Sequence, residues 1–159
     1  MRIGIVSAVV PLRDDEAVAR GVALEERLRA AGHEAELVLL PFDEATEAQL
    51  VQRAAYRAML FAPHYDLVVT LRTPAEVIRH GRKVAWLADD PLAPGGEGTL
   101  LGRALVADLA RASLVGLREA RCVLAASEGV AEGLREAGLQ GVRVVAPGDW
   151  DLVVGAVLA

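Results

Sequence analysis

The chain has 159 residues and a mass of 16.8 kDa, 53% of its residues are hydrophobic, and its mean hydropathy is +0.34. This composition excludes a disordered chain, and a formal net charge of −5 disfavours nucleic acid as a partner, because phosphate contacts need clustered basic residues. No apolar run reaches the roughly 18 residues that a membrane-spanning helix needs, the N-terminus has no signal-peptide pattern, and Cys122 is the only cysteine. A cytoplasmic protein of one domain is therefore expected.

In chain order, the hydrophobic pattern predicts strands that alternate with helices. The predicted strands are 2–7, 34–40, 65–71, 84–88, 121–126 and 142–146. The predicted helices are 14–31, 44–61, 99–120, a helix that Ser127 caps and that ends at Gly138, and a last helix from Asp149. Because the strands are apolar on both faces, we predict an α/β fold. This is a three-layer αβα Rossmann-like domain with a parallel six-stranded sheet in the order 3-2-1-4-5-6.

The stretch from Arg79 to Pro91 reads as a basic turn that ends with Lys83, a buried strand and an acidic turn. Ligands bind beyond the carboxyl ends of strands in an open parallel sheet, so Asp89 and Asp90 are candidate ligand-binding residues. A carboxylate pair suits Mg²⁺ or acid–base chemistry. An acidic turn that precedes a helix is the structural alternative.

Three further residues in loops at strand ends are candidate ligand-binding residues: Ser7, Arg13 and Ser127. Solvated loop groups are the alternative interpretation of Ser7 and Arg13. The three histidines lie in separate loops without the spacing of a metal site. We therefore predict no catalytic residue, no metal and no cofactor.

Three ordered segments of the chain carry a family resemblance. They are 1–38, with its first strand, Pro11 and the Gly32-His33-Glu34 turn; 65–87, with Tyr65-Asp66-Leu67-Val68-Val69-Thr70, Pro74 and Arg79-His80-Gly81-Arg82-Lys83-Val84-Ala85-Trp86-Leu87; and 119–135. Together they resemble the N-terminal, acceptor-side domain of a GT-B retaining glycosyltransferase of the broad group called family 4. The resemblance covers residues 1 to about 147.

The resemblance implies a glycosyltransferase-like Rossmann-like domain at 1–148, followed by a C-terminal helix at 149–159 that packs on the same domain. That helix resembles the one that crosses back from the second domain of GT-B enzymes, and a sixth helix of any Rossmann-like domain is the alternative. The donor-binding C-terminal domain is expected to be absent. Two positions depart from the family: the first loop is acidic where a glycine pair is usual, and Asp89 stands at the place of a histidine.

The implied function is a stand-alone glycosyltransferase-like domain that is not catalytically competent alone. Its expected partners are a nucleotide-sugar or a sugar acceptor, a second copy of the chain, or a glycosyltransferase. Two alternatives remain open: an engineered, ancestral or minimised half-GT-B scaffold without ligand function, and an interaction module that assists a complete glycosyltransferase. The strong preference for arginine over lysine is typical of a GC-rich or thermophilic source or of an engineered sequence.

Overall fold

A computed structural model describes residues 1–11, 15–43, 46–92 and 100–159. The strands in these ranges are β1 (Arg2–Val9), β2 (Glu34–Pro41), β3 (Leu67–Arg72), β4 (Lys83–Leu87), β5 (Cys122–Ala125) and β6 (Arg143–Val144). The helices are α1 (Glu16–Ala30), α2 (Thr46–Ala58), α3 (Leu100–Arg118), α4 (Glu128–Glu136) and α5 (Trp150–Leu158), with a short 3-10 turn at Ala75–Val77. Strands and helices alternate as the hydrophobic pattern predicts.

The described strands form one sheet in which every pairing is parallel, so the predicted α/β, Rossmann-like fold is confirmed. The predicted strand order was wrong: the sheet runs β2-β1-β3-β4-β5-β6, which places β2 at the edge and β3 between β1 and β4. Burial accounts for the difference. β3 is buried from Leu67 to Leu71, whereas β2 exposes Glu34 and Glu36, as befits an edge strand.

Helices cover both faces of the sheet. On one face, α1 and α5 pack over the apolar side chains of the central strands, with Leu24 and Leu28 from α1 and Val153 and Val157 from α5. On the other face lie α2, α3 and α4. None of the helices in the described ranges is long and apolar enough to cross a bilayer.

A buried ionic cluster joins α2, the 3-10 turn and α3. Glu76 of the turn is fully buried and accepts hydrogen bonds from Arg53 of α2 at 3.3 Å and from the Ser113 hydroxyl of α3 at 2.6 Å. Lys83, which the sequence places in the basic turn, is instead the first residue of β4 and is fully buried. Its ammonium donates to the carbonyl oxygens of Glu76 and Ile78, so the lysine holds the turn against the sheet.

Candidate functional site

The corrected strand order moves the place where a ligand is expected. β1 connects to β2 on one side, while β3 and all later strands lie on the other side, so the direction of winding reverses between β1 and β3. Open α/β sheets bind ligands outside the carboxyl ends of the strands at such a switch point. The pairing of β1 with β3 is irregular there: Val6 is opposite Thr70, but Ser7 is opposite Arg72.

A small cavity of about 230 Å³ opens at this point, and we call it the switch-point pocket. Its lining residues come from the start of α1 and from the ends of β3 and β4: Asp15, Glu16, Ala17, Arg20, Arg72, Ala88 and Asp89. Asp15 caps α1 by accepting the Ala17 N–H at 2.8 Å through one carboxylate oxygen, and its other oxygen pairs with the Arg72 guanidinium. An ion pair therefore joins the start of α1 to the end of β3 beside the switch point.

Arg20 of α1 lines the pocket. Its Nε and Nη1 atoms are buried and have no hydrogen-bond partner within the described part of the chain. Burial lowers the pKa of Arg20 from its ordinary value, and the carboxylates of Asp89, Glu16 and Asp15 oppose that shift. Because buried donors without a partner are costly, this guanidinium suits a ligand that offers acceptor oxygens.

The Arg20 guanidinium packs on Trp86, which packs on a second tryptophan, Trp150. Arg20 lies over the ring of Trp86, with 5.6 Å between its Cζ atom and the ring centroid. Trp86 in turn packs edge-on against Trp150 of α5 at a centroid distance of 5.5 Å, and Arg27 of α1 covers the Trp150 ring at 4.5 Å. The terminal helix thus contributes to the support of a pocket residue.

The candidate residues named from the sequence have different surroundings. Asp89 lines the switch-point pocket. Asp90 instead accepts the Leu92 N–H at 2.9 Å, which fits a turn residue. Ser7 is fully buried, and its hydroxyl donates a hydrogen bond to the Ala8 carbonyl oxygen. Ser127 caps α4 by accepting the Val130 N–H. Arg13 lies outside the described residues.

Sequence reasoning did not identify Arg20 and Arg72 as site residues. Both had a detectable signal. Arg20 is three residues after Ala17 and next to Gly21, so it borders the inward face of α1, where a charged side chain needs a partner. Arg72 ends a strand that is otherwise apolar except for Thr70.

Two larger cavities lie elsewhere. One, of about 560 Å³, is at the amino ends of β1 and β2, away from the carboxyl edge of the sheet. Some of its polar groups pair with neighbours: the Tyr65 hydroxyl donates to Glu36 at 2.9 Å, and Arg29 pairs with Glu25. The other, of about 550 Å³, lies at the carboxyl ends of β1 and β2 and has a largely apolar lining.

Within the described ranges, no group of three or more histidine, cysteine, aspartate or glutamate side chains is placed to hold a metal ion. No protein-family model matches the chain, and no curated protein matches it. The residues of the switch-point pocket therefore provide the basis for a functional proposal.

Proposed function

We propose that the chain binds a sugar acceptor in the switch-point pocket and does not transfer a glycosyl group by itself. The observation that carries the proposal is that hydrogen-bond donors and hydrogen-bond acceptors line the same cavity. Arg20 has donors without a partner among the described residues, while Asp89 and Glu16, both exposed carboxylates, accept only. A sugar hydroxyl donates and accepts, so neighbouring hydroxyls of one ring satisfy both kinds of group.

The charge of the pocket favours a neutral ligand over a phosphate. Among the described residues, three carboxylates and two guanidiniums line it, and Asp15 and Arg72 are already paired with each other. Of the described lining residues that remain, the carboxylates of Glu16 and Asp89 outnumber the guanidinium of Arg20. A diphosphate would meet like charges here and could not donate to either carboxylate. The donor nucleotide of a transfer reaction therefore has no suitable place in this pocket.

The family resemblance supports the same proposal. In GT-B glycosyltransferases the N-terminal domain faces the acceptor and the second domain binds most of the donor. Segment 1–38, which carries part of the resemblance, supplies the first turn of α1 to the pocket wall, whereas Asp89 in the same wall departs from the family. An acceptor-side domain with an acidic pocket would retain sugar binding without donor binding.

Thermal unfolding with added ligands tests the proposal. We expect neutral methyl glycosides to raise the melting temperature, because a ligand at ten times its Kd stabilises the native state by about 1.4 kcal/mol. Uridine and guanosine diphosphates should leave it unchanged. Asp89→Asn should abolish the shift, whereas Asp108→Asn, at an exposed position on α3 paired with Arg111, should preserve it. Unchanged melting with every glycoside, or glycosyl transfer by the purified chain, would refute the proposal.

Self-association is a second candidate function, and it depends on the outer face of α2. Val51 is 71% exposed and Leu60, just after the helix, is 78% exposed. The two arginines of α2 form salt bridges with residues outside the helix, Arg53 with Glu76 and Arg57 with Glu119. Two copies with a net charge of −5 each repel one another, so exposed apolar side chains such as Val51 and Leu60 are where they could approach. Sedimentation of wild type and Val51→Glu at increasing concentration tests this, and a strictly monomeric wild type would contradict it.

A further inference from the structure

Strand β2 is an edge strand, and no strand in the described ranges covers its outer side. It pairs with β1 along all eight of its residues. Free N–H and C=O groups along such an edge are a template for a further strand, and charged residues or prolines usually protect them. In β2 the charged residues, Glu34 and Glu36, lie at the amino end, and Pro41 ends the strand. Residues 37–40 are all apolar and lack both kinds of protection, and Leu39 among them is 42% exposed.

The hydrogen bonds with β1 establish which backbone groups of β2 face away from the sheet. The Glu34 N–H donates to the Met1 carbonyl oxygen at 3.0 Å, and the Phe42 N–H donates to the Val9 carbonyl oxygen at 2.8 Å. Because the backbone groups of successive residues alternate in direction along a strand, the even-numbered residues of β2 face β1. The residues whose N–H and C=O groups face outward are therefore Ala35, Leu37, Leu39 and Pro41.

Side chains already occupy the two ends of this outer edge. Arg29 of α1 donates through Nε to the Ala35 carbonyl oxygen at 3.0 Å. The Tyr56 hydroxyl of α2 donates to the Pro41 carbonyl oxygen, and a proline has no N–H. The part of the edge that stays open is thus the short stretch 37–39.

This open stretch is complementary to a second copy of itself. The outward N–H and C=O groups of Leu37 and Leu39 have no hydrogen-bond partner within the described residues. In an antiparallel pair, two residues that lie opposite each other exchange two hydrogen bonds. When Leu37 of one copy lies opposite Leu39 of the other, the two such pairs satisfy all of these groups with four hydrogen bonds. Val38 then lies opposite itself on the twofold axis.

The same register keeps the acidic residues of the two copies apart. Glu36 of one copy lies opposite Leu40 of the other, so the two Glu36 residues are offset by four residues, or about 14 Å along the strands. A parallel pairing in register would instead place each glutamate of β2 beside its own copy, and like charges in that position destabilise a sheet. Charge therefore favours the antiparallel register.

We propose that the chain forms a symmetric dimer through the outer edge of β2, paired antiparallel about Val38. The two six-stranded sheets then continue into each other across an interface that is the same surface on both copies. This interface differs from the outer face of α2, and it does not depend on sugar binding in the switch-point pocket.

Amide hydrogen exchange of the wild-type chain, followed by nuclear magnetic resonance at low and high protein concentration, tests the register. The N–H groups of Leu37 and Leu39 should exchange rapidly in dilute protein. Their exchange should slow about tenfold when about nine-tenths of the chains are dimeric, because only the monomer leaves them free. The N–H of Ala35 is the internal control. It also faces outward, but it lies opposite Pro41, whose carbonyl oxygen Tyr56 occupies, so its exchange should stay rapid.

Sedimentation of the wild type and two variants tests the interface. The mass of the wild type should rise from 16.8 kDa toward twice that value with concentration. Leu39→Pro should stay monomeric, because it removes an outward N–H and leaves the pairing with β1 intact, as edge strands tolerate. Val51→Glu, at a position on α2 that is 71% exposed, is the matched control and should dimerise as the wild type does.

Each result supports or overturns the proposal. A wild type that remains monomeric at every concentration would overturn it, and so would exchange of the Leu37 and Leu39 amides that is independent of concentration. A dimer that Val51→Glu dissociates and Leu39→Pro preserves would also overturn it and would assign the contact to α2. Should Leu39→Pro fail to fold, the exchange measurement on the wild type still decides. Concentration-dependent protection of both leucine amides, with a dimer that only Leu39→Pro abolishes, supports the proposal.

Discussion

Lys83 makes the stability of this protein depend on pH in an unusual direction. It is the only lysine in the chain, its side chain is fully buried, and its ammonium donates to the Glu76 and Ile78 carbonyl oxygens at 2.8 and 2.7 Å. Burial lowers the pKa of Lys83 to about 8, although the carboxylates of Glu119 and Glu76 favour the charged form. The native state therefore releases this proton well before the unfolded chain does.

The size of the effect follows from the two pKa values. An unfolded lysine titrates near pH ~10.4, so between pH 8 and that value the unfolded state binds more protons than the native state. The free energy of unfolding must then rise with pH. Since one pKa unit corresponds to about 1.4 kcal/mol, we expect a gain of about 2–3 kcal/mol between roughly pH 7 and pH 10.

Tyr65 limits the useful interval at the alkaline end. Burial and the neighbouring Glu36 raise the pKa of Tyr65 to about 12. The unfolded tyrosine, with a pKa near 10, therefore loses its proton first, and stability falls as pH rises further. Measurements confined to pH 7–10 separate the lysine from the tyrosine.

Two measurements check the prediction. With selectively labelled lysine, nuclear magnetic resonance observes Lys83 as a single side-chain signal, which should titrate near pH 8. Urea unfolding should show stability rising across the interval in wild type and staying nearly flat in Lys83→Met. A lysine signal that titrates above pH 10 at about the unfolded value, or the same slope in both proteins, would refute the reasoning.

Further substitutions test the packing. Gly116→Ala should lower the free energy of unfolding in urea by about 3 kcal/mol or more, because an added Cβ would lie 2.4 Å from the Glu76 carbonyl oxygen. Gly155→Ala on α5 has open space around the added Cβ and should raise the free energy of unfolding by about 0.5–1 kcal/mol. Equal effects at the two glycines would contradict the close contact between α3 and the 3-10 turn. Ser127→Ala should cost about 1 kcal/mol through loss of the α4 cap, Ser127→Asp should restore it, and neither should change glycoside affinity. A loss of affinity in Ser127→Ala alone would assign the hydroxyl to the ligand instead.

Local patterns in the sequence were sufficient to identify the strands and helices, because apolar spacing reports directly which face of each element is buried. The spacing predicts helix 14–31, for example, where the structure has Glu16–Ala30 with Asp15 as its cap. Local apolar spacing does not predict strand order, because strand order depends on which strands pair across the sheet. The charges of β2 at Glu34 and Glu36 did carry a clue to its edge position.

The candidate site could be predicted only in part. Asp89 was identified because it follows a buried strand, and that rule needs no knowledge of strand order. Arg72 could not be predicted as a site residue without the strand order. It lies in the site because β3 is the neighbour of β1, which brings its guanidinium to Asp15. Arg20 depends on the contact of α1 with Trp86, and no local pattern encodes a contact between residues so far apart in the chain.

Sugar binding at Arg20 is the central claim, and its side-chain Nε–H signal tests it most directly. In a nuclear magnetic resonance titration with methyl glycosides, the Arg20 signal should shift and saturate, because a sugar oxygen takes up a donor that lacks a partner among the described residues. The signal of Arg111, which is exposed on α3 and paired with Asp108, should remain unchanged. An Arg20 signal that stays constant while glycoside binding is detected, or the absence of any binding, would contradict the account.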